Sequence, residues 1–95
     1  MLDWPFDQPE NAATLTTISV VRHHAPILFV SHDIEDDGWQ FLDGGDVSMA
    51  DALVLALADI VALDPTLRDL ADLPPGWNAR RRSVSEPWSR YPRAC

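Results

Sequence analysis

The sequence predicts a small single α+β domain, with a mainly antiparallel sheet of three to five strands and one or two short helices near residues 58–72. Its 95 residues are enough for one domain and too few for two. Hydrophobic residues make up 46% and charged residues 23%, the balance of a globular protein. Short β-branched or apolar runs bounded by turn residues precede a helical pattern that ends at a Leu-Pro-Pro-Gly segment.

The domain is predicted to cover residues 1–82 and to begin with an extended arm. Pro5 and Pro9 fix φ and remove backbone donors, so the first eleven residues suit neither a helix interior nor a central strand. Trp4 and Phe6 are large apolar side chains. We therefore expect the arm to pack onto the domain rather than to extend into water.

Two strands are predicted next. The first covers residues 13–21, where β-branched residues are dense. A short helical turn over residues 18–22 is the alternative for its second half. The four apolar residues Ile27 to Val30 follow Pro26 and predict a central strand that is buried on both faces.

An acidic segment then connects two strands. Residues 31–38 are polar and end in Asp37-Gly38, a dipeptide that tolerates the positive φ of a tight connection. Trp39 and Phe41 follow at alternate positions, which is typical of a strand. Strand, acidic loop and strand therefore predict a hairpin.

The segment from Ser48 to Leu63 is ambiguous. One interpretation is a single helix, since Leu53, Leu57 and Ile60 would share a face. The other is a buried strand at residues 53–57, followed by a helix from about Ala58 into Asp64. Asp64 and Pro65 then suit the N-cap and the first turn of a further helix over residues 66–71.

The last predicted strand is Trp77 to Arg80, after the helix-ending residues 73–76. No apolar periodicity follows Arg82. Residues 83–95, which contain two prolines and scattered arginines, are therefore predicted to be a flexible tail.

The order of several motifs resembles a family of small bacterial proteins of unknown function, over residues 4 to about 82. The matching residues are Trp4-Pro5-Phe6-Asp7, Thr16-Thr17, Val30-Ser31-His32-Asp33, Asp36-Asp37-Gly38-Trp39-Gln40-Phe41, Ile60-Val61-Ala62-Leu63-Asp64-Pro65 and Leu70-Ala71-Asp72-Leu73-Pro74-Pro75-Gly76-Trp77. More distantly, the acidic turn before Gly-Trp-x-Phe and the late Asp-Pro helix resemble domain-of-unknown-function family 2185, which includes immunity-type proteins associated with bacterial toxins.

The distant family usually has Ser or Asp-Ser before its Gly-Trp pair, and Asp36-Asp37 stand there in this chain. The acidic, glycine-containing segment that follows its Phe corresponds here to Gly44-Gly45-Asp46. The resemblance implies a compact α+β fold with a strand at about residues 53–57, which favours the strand over the single helix there. It implies no catalytic activity.

Charge is divided unevenly along the chain. Residues 1–79 carry fourteen carboxylates and two arginines, a formal charge of −12, whereas residues 80–95 carry five arginines and one glutamate, +4. An acidic body repels nucleic acid and anionic membranes and favours a basic protein partner.

The single cysteine, Cys95, excludes an intrachain disulfide and fits a reducing cytoplasm. No apolar run reaches membrane-spanning length, and no motif predicts a cofactor.

The candidate binding site is an acidic surface on the hairpin connection, formed by Asp33, Glu35, Asp36, Asp37 and Trp39. A metal-dependent enzyme using His32, Asp33 and Asp36 is the alternative, because carboxylates and imidazole are both metal ligands. Their spacing matches no EF-hand register. Adjacent His23 and His24 would serve a metal only if His32 lay near them.

A third interpretation is nucleic-acid binding by the tail. Arg80-Arg81-Arg82 with Trp88 and Tyr91 combine positive charge with aromatic rings, as single-strand binders do. The body's larger negative charge opposes this function. Docking of the tail arginines onto the chain's own acidic surface is the competing expectation.

Overall fold

The computed structural model describes residues 3–45 and 48–93. Met1, Leu2, Asp46, Val47, Ala94 and Cys95, which include the ends of the expected arm and tail, lie outside the described residues. The strands are β1 (Ala13–Thr17), β2 (Phe29–His32), β3 (Trp39–Leu42), β4 (Ala52–Ala56), β5 (Trp77–Arg80) and β6 (Ser89–Pro92). The helices are α1 (Ile18–Arg22), α2 (Leu57–Leu63) and two 3-10 helices, Met49–Asp51 and Pro65–Leu70.

The six strands form one sheet in the order β4-β1-β3-β2-β5-β6. Only β1 and β3 run parallel; the other four neighbouring pairs are antiparallel. This confirms the α+β class, but the sheet has six strands rather than the three to five expected. The predicted hairpin is observed and pairs His32 with Trp39 and Phe29 with Leu42, but its first strand covers residues 29–32 rather than the expected 27–30, so Ser31 and His32 belong to the strand.

The hydrophobic core joins the sheet to the helices. Val30 lies opposite Phe41 on β3 and Ala79 on β5, and all three are fully buried. Leu57 and Ile60 of α2 belong to the same buried cluster. The other face of the sheet carries a row of cross-strand neighbours: Val54, Leu15, Gln40, Ser31, Asn78 and Tyr91.

The segment after Ala13 divides into a strand and a helix. β1 ends at Thr17, whose hydroxyl caps the short α1 by accepting a hydrogen bond from Val20 N–H. The helical alternative for residues 18–22 is therefore the observed one. Thr16 remains buried in β1 because its hydroxyl donates to the Phe41 carbonyl at 2.7 Å, which satisfies the polar group.

The ambiguous segment contains the strand rather than one long helix. β4 pairs with β1 along all five residues, from Ala13 opposite Ala56 to Thr17 opposite Ala52. Sheet pairing therefore overrides the helix propensity of these residues. Asp64 then caps the next helix as expected, since its carboxylate accepts from Thr66 N–H at 3.0 Å, although that helix is of the 3-10 type.

The expected flexible tail instead contributes the sixth strand. Asn78 of β5 lies opposite Tyr91 of β6, and Arg80 lies opposite Ser89. Arg93 N–H also donates to the Gly76 carbonyl at 2.8 Å. The prediction missed this strand because residues 89–92 have no strand pattern of their own. They become a strand through their pairing with β5.

The N-terminal arm packs on the domain as predicted. Phe6 is buried, and its ring meets the Trp39 ring edge to face at 5.4 Å between centroids. Trp4 packs against Phe6 and donates its indole N–H to the Gln8 carbonyl at 2.7 Å. Among the described residues, the longest helix has seven residues, and none is long and apolar enough to cross a bilayer.

Candidate functional site

The connection between β2 and β3, residues 33–38, is here called the acidic turn. Asp33 N–H donates to the Gly38 carbonyl at 2.8 Å and closes it. Asp37, not Gly38, takes the positive φ of 58°. Gly38 N–H donates to the Asp36 carboxylate at 2.9 Å, and a Cβ at position 38 would lie 2.8 Å from Asp36 Oδ1, so that this flexible side chain would have to shift. The turn is thus shaped by its own carboxylates.

A hydrogen-bonded chain ties this turn to the arm and the core. His32 Nε2 lies 2.6 Å from Asp37 Oδ1, and His32 Nδ1 lies 2.7 Å from the Leu73 carbonyl. Gln8 donates to Asp37 Oδ2 at 2.7 Å and accepts from the Trp39 indole at 3.0 Å. The imidazole and the indole stack at 4.0 Å between centroids, nearly parallel. We call His32, Asp37, Gln8 and Trp39 the support network.

The donor directions in the support network follow from its chemistry. The Trp39 indole can only donate, so the Gln8 amide presents its oxygen to Trp39 and its NH₂ to Asp37. The Leu73 carbonyl can only accept, so His32 Nδ1 carries a hydrogen. Every bond is satisfied when His32 also donates from Nε2 to an ionised Asp37. Asp37 is therefore the terminal acceptor of the network.

This arrangement favours the ionised form of Asp37. The pKa of Asp37 is lowered from its ordinary value of 3.8, first by the hydrogen bond from Gln8. Partial burial opposes the shift, while the hydrogen bond and the charge of His32 add to it. The carboxylate is thus part of the folded structure and not a free surface charge.

The outer side of the turn forms an acidic cleft of about 420 Å³. Its lining consists of Asp33, Ile34, Glu35, Asp36, Gln40 and Arg93. Asp33 accepts from Arg93 at 2.9 Å and from the Gln40 amide at 3.4 Å. Ile34, among these charged side chains, is 71% exposed. The cleft therefore combines carboxylates with an apolar contact surface.

The structure divides the predicted acidic surface into two groups. Asp33, Glu35 and Asp36 line the cleft together. Asp37 is committed to the support network, and Trp39 is a core residue with 2% exposure. The physical reason is strand alternation: Trp39 lies opposite His32 and faces the same packed side of the sheet. Trp39 thus supports the turn from beneath and does not present a surface.

The candidate metal ligands do not converge. In residues 3–45 and 48–93, no three His, Cys, Asp or Glu side chains form a group that could hold a metal ion. His32 uses both ring nitrogens in the support network, Asp33 binds Arg93, and Asp36 caps Gly38. His23 and His24 therefore do not complete a three-histidine cluster with His32.

The tail arginines dock onto the chain's own acidic groups. Arg81 is buried, donates to Asp64 at 2.6 Å and to the Ile27 carbonyl at 3.0 Å, and stacks over the Trp88 ring at 4.0 Å. Arg90 binds Asp72 at 2.7 Å and lowers the pKa of that carboxyl. Arg80 lies over Tyr91. Both aromatic rings of the predicted nucleic-acid motif are thus contacted by arginines of the same chain.

Sequence reasoning missed four contributors to the site: Gln8, Ile34, Gln40 and Arg93. Gln8 and Arg93 reach it from the two ends of the chain, and no local pattern signals either contact. Ile34 did carry a signal, since a lone β-branched apolar residue interrupts an acidic run.

Comparisons with protein-family models, curated proteins and solved structures found no match for this chain.

Proposed function

We propose that this chain is a non-enzymatic protein-binding domain whose acidic cleft receives a basic side chain of a partner protein. The observation that carries the proposal is the composition of the cleft: three carboxylates beside an exposed Ile34, with Arg93 as the cation bound to Asp33. Such a surface fits the two parts of an arginine or lysine side chain. The carboxylates bind the charged end, and Ile34 contacts the aliphatic stem.

Long-range electrostatics support a basic partner. Residues 1–79 have a formal charge of −12, and the whole chain has −8. A charge of this sign accelerates encounter with basic surfaces and slows encounter with phosphate backbones. Because exposed charges are screened over about 10 Å at 0.1 M salt, binding at the cleft should weaken as salt is added.

The rigidity of the turn also supports binding. The Asp33–Gly38 backbone bond, the Asp36 cap on Gly38 and the support network all act on the acidic turn. A loop that is already ordered loses less conformational entropy when a partner binds. The Asp36 carboxylate and the backbone of the turn are therefore ordered before a partner binds, which favours a specific contact over general attraction between charges.

The resemblance to family 2185 suggests one kind of partner. Under that hypothesis the chain would be an immunity-type protein, and its basic partner would be a bacterial toxin. The cleft fits such a role, because immunity by binding requires complementary charge and no catalytic group. A toxin gene beside the gene for this chain would support the hypothesis, and a neighbourhood without one would count against it.

The two alternative functions have less support from the contacts. A metal-dependent hydrolase would need converging ligands, whereas in residues 3–45 and 48–93 no three His, Cys, Asp or Glu side chains form a metal-holding group and both ring nitrogens of His32 are hydrogen-bonded. Nucleic-acid binding by the tail would need accessible cations and stacking surfaces. Arg81 and Arg90 are instead ion-paired, and Trp88 is covered by Arg81.

A peptide-binding experiment tests the proposal. A short fluorescent peptide with spaced arginines is compared with its citrulline analogue, which has the same shape without the charge. Fluorescence polarisation is measured for the wild type, for E35Q/D36N, and for D59N as a control on the surface of α2. D36N keeps an oxygen that can cap Gly38, so the turn is preserved.

The proposal predicts that the arginine peptide binds the wild type and D59N and that E35Q/D36N reduces this binding at least tenfold, about 1.4 kcal/mol. Binding should also weaken between about 0.1 M and about 1 M salt, where the Debye length falls from about 10 Å to about 3 Å. The cleft would not be the binding site if the citrulline peptide bound as tightly as the arginine peptide, or if D59N and E35Q/D36N lowered the affinity for the arginine peptide equally.

A further inference from the structure

The edge strand β4 has a sequence that is both apolar and palindromic. It reads Ala52-Leu53-Val54-Leu55-Ala56, the same in both directions. Its inner side pairs with β1, and no described strand pairs with its outer side. Val54, at the centre, is 71% exposed. An exposed edge without charge or proline is a template for pairing with another strand.

The opposite edge of the sheet is protected. β6 reads Ser89-Arg90-Tyr91-Pro92, so it carries an arginine and a proline, two of the features that keep edge strands from pairing. Arg90 is also anchored to Asp72. The two edges of the sheet therefore differ in whether charge or proline blocks the addition of another strand. Among the six described strands, only β4 combines an unpaired side with a wholly apolar sequence.

We propose that β4 is the interface of a two-fold symmetric homodimer, in which the β4 strands of two copies pair antiparallel, centred on Val54. The palindrome argues for a second copy as the occupant. An antiparallel pair in this register places Ala52 opposite Ala56, Leu53 opposite Leu55 and Val54 opposite Val54, so that every cross-strand pair joins identical residue types. Two six-stranded sheets become one continuous sheet of twelve strands.

Both faces of the paired strands gain apolar contacts. On one face, Val54 lies beside Leu15 of β1 in the cross-strand register. The dimer extends this row into Leu15, Val54, Val54 and Leu15 across the two-fold axis. On the other face, Leu55 packs against the hydrophobic core and meets Leu53 of the second copy. The pairing thus covers the most exposed apolar residue of the strand.

The charge of the chain predicts how this dimer responds to salt. Each copy carries −8, so two copies repel each other at low ionic strength. Added salt screens the repulsion while leaving the apolar and backbone contacts in place. Dimerisation should therefore strengthen with salt, whereas arginine-peptide binding at the acidic cleft should weaken. The opposite salt responses separate the two proposals experimentally.

Sedimentation equilibrium of the full chain tests the dimer, over concentrations from about 1 µM to about 1 mM, the range of weak association. Val54→Lys places a charge at the centre of the edge without disturbing the core. Val84→Lys, at a residue that is 53% exposed outside β4, is the matched control. The wild type and Val84→Lys should dimerise, more strongly at high salt, and Val54→Lys should remain monomeric. A monomeric wild type, or a dimer unaffected by Val54→Lys, would overturn the proposal.

Cysteine cross-linking tests the register, in a Cys95→Ser background with oxidised glutathione as the oxidant. Cβ atoms directly opposite each other on antiparallel strands are about 4.5–5.5 Å apart, close to disulfide geometry. Val54→Cys should therefore cross-link rapidly. Ala52→Cys should not, because its two copies would lie about 14 Å apart, but Ala52→Cys mixed with Ala56→Cys should. Faster self-linking of Ala52→Cys than of Val54→Cys would contradict this register.

Discussion

His32 Nε2 lies 2.6 Å from Asp37 Oδ1, and this contact joins a buried ring of the central hairpin to the turn that forms the candidate site. The ring is held from its other side by the Leu73 carbonyl and from its face by Trp39. The imidazole, together with Gln8, consequently connects the acidic turn to the core. Variants of these residues test whether the turn is as rigid as the proposed binding function requires.

Asp37→Asn should destabilise the protein and make its stability less dependent on acid. The pKa of Asp37 is lower in the folded chain than its ordinary 3.8, so folding favours the carboxylate. That contribution is present above the unfolded pKa and is lost as the pH falls through the folded pKa. Urea unfolding between pH 7 and pH about 3 should therefore show a steeper acid loss in the wild type than in Asp37→Asn.

The asparagine tests this point cleanly because it tolerates the positive φ at position 37. Its oxygen can accept from Gln8 and its NH₂ can donate to His32 only where Nε2 carries no hydrogen, so the hydrogen bonds to an ionised carboxylate are lost. If the free energy of unfolding fell equally with pH in the wild type and in Asp37→Asn, the carboxylate would contribute nothing specific to the folded state.

His32→Phe should cost about 1–3 kcal/mol of stability, the usual cost of leaving a buried polar group without its partner. The substitution keeps a flat ring against Trp39 but removes both hydrogen bonds of the imidazole. His23→Phe is the control at an exposed position, with an expected change within about 0.5 kcal/mol. Urea denaturation measures both, and equal effects would refute a special role for the buried ring.

Arg81→Met should destabilise the chain by about 3–5 kcal/mol, because it leaves Asp64 without its cation in a largely buried site. It also removes the donors to the Ile27 carbonyl and the cation over Trp88. For a domain with a total stability of about 5–15 kcal/mol, this is a large share.

Arg82→Met, at the exposed neighbouring position, gives the same change of side chain without these contacts. Its unfolding free energy should stay within about 0.5 kcal/mol of the wild type. If Arg81→Met were equally mild, the Arg81–Asp64 pair would not hold the segment after β5 against the rest of the domain.

The sequence predicts an element well where neighbouring residues carry the pattern, as in β3 and at the Asp64 cap. Trp39 and Phe41 alternate, and β3 begins and ends within that pattern. Asp64 before Pro65 indicates a helix start, and the Asp64 cap is observed. β4 was harder, because Leu and Ala favour helices in isolation and only pairing with β1 makes this segment a strand.

The missed features depend on contacts between distant parts of the chain. β6 contains an arginine and a proline and has no apolar alternation, so only its pairing with β5 identifies it. Without β6, Arg93 could not be placed beside Asp33. Sequence reasoning grouped the acidic residues by position, but it could not tell that Asp37 contacts Gln8 of the arm while Glu35 and Asp36 line the cleft.

The most direct test of the acidic cleft is an NMR titration of the ¹⁵N-labelled chain with the arginine peptide. Amide shifts should change first at residues 33–36, Gln40 and Arg93, which surround the cleft, while the amide of Asp59 on α2 should not respond. The citrulline peptide should leave all of these signals in place. Shift changes spread over every acidic part of the surface, or confined to α2, would contradict the acidic cleft as the binding site.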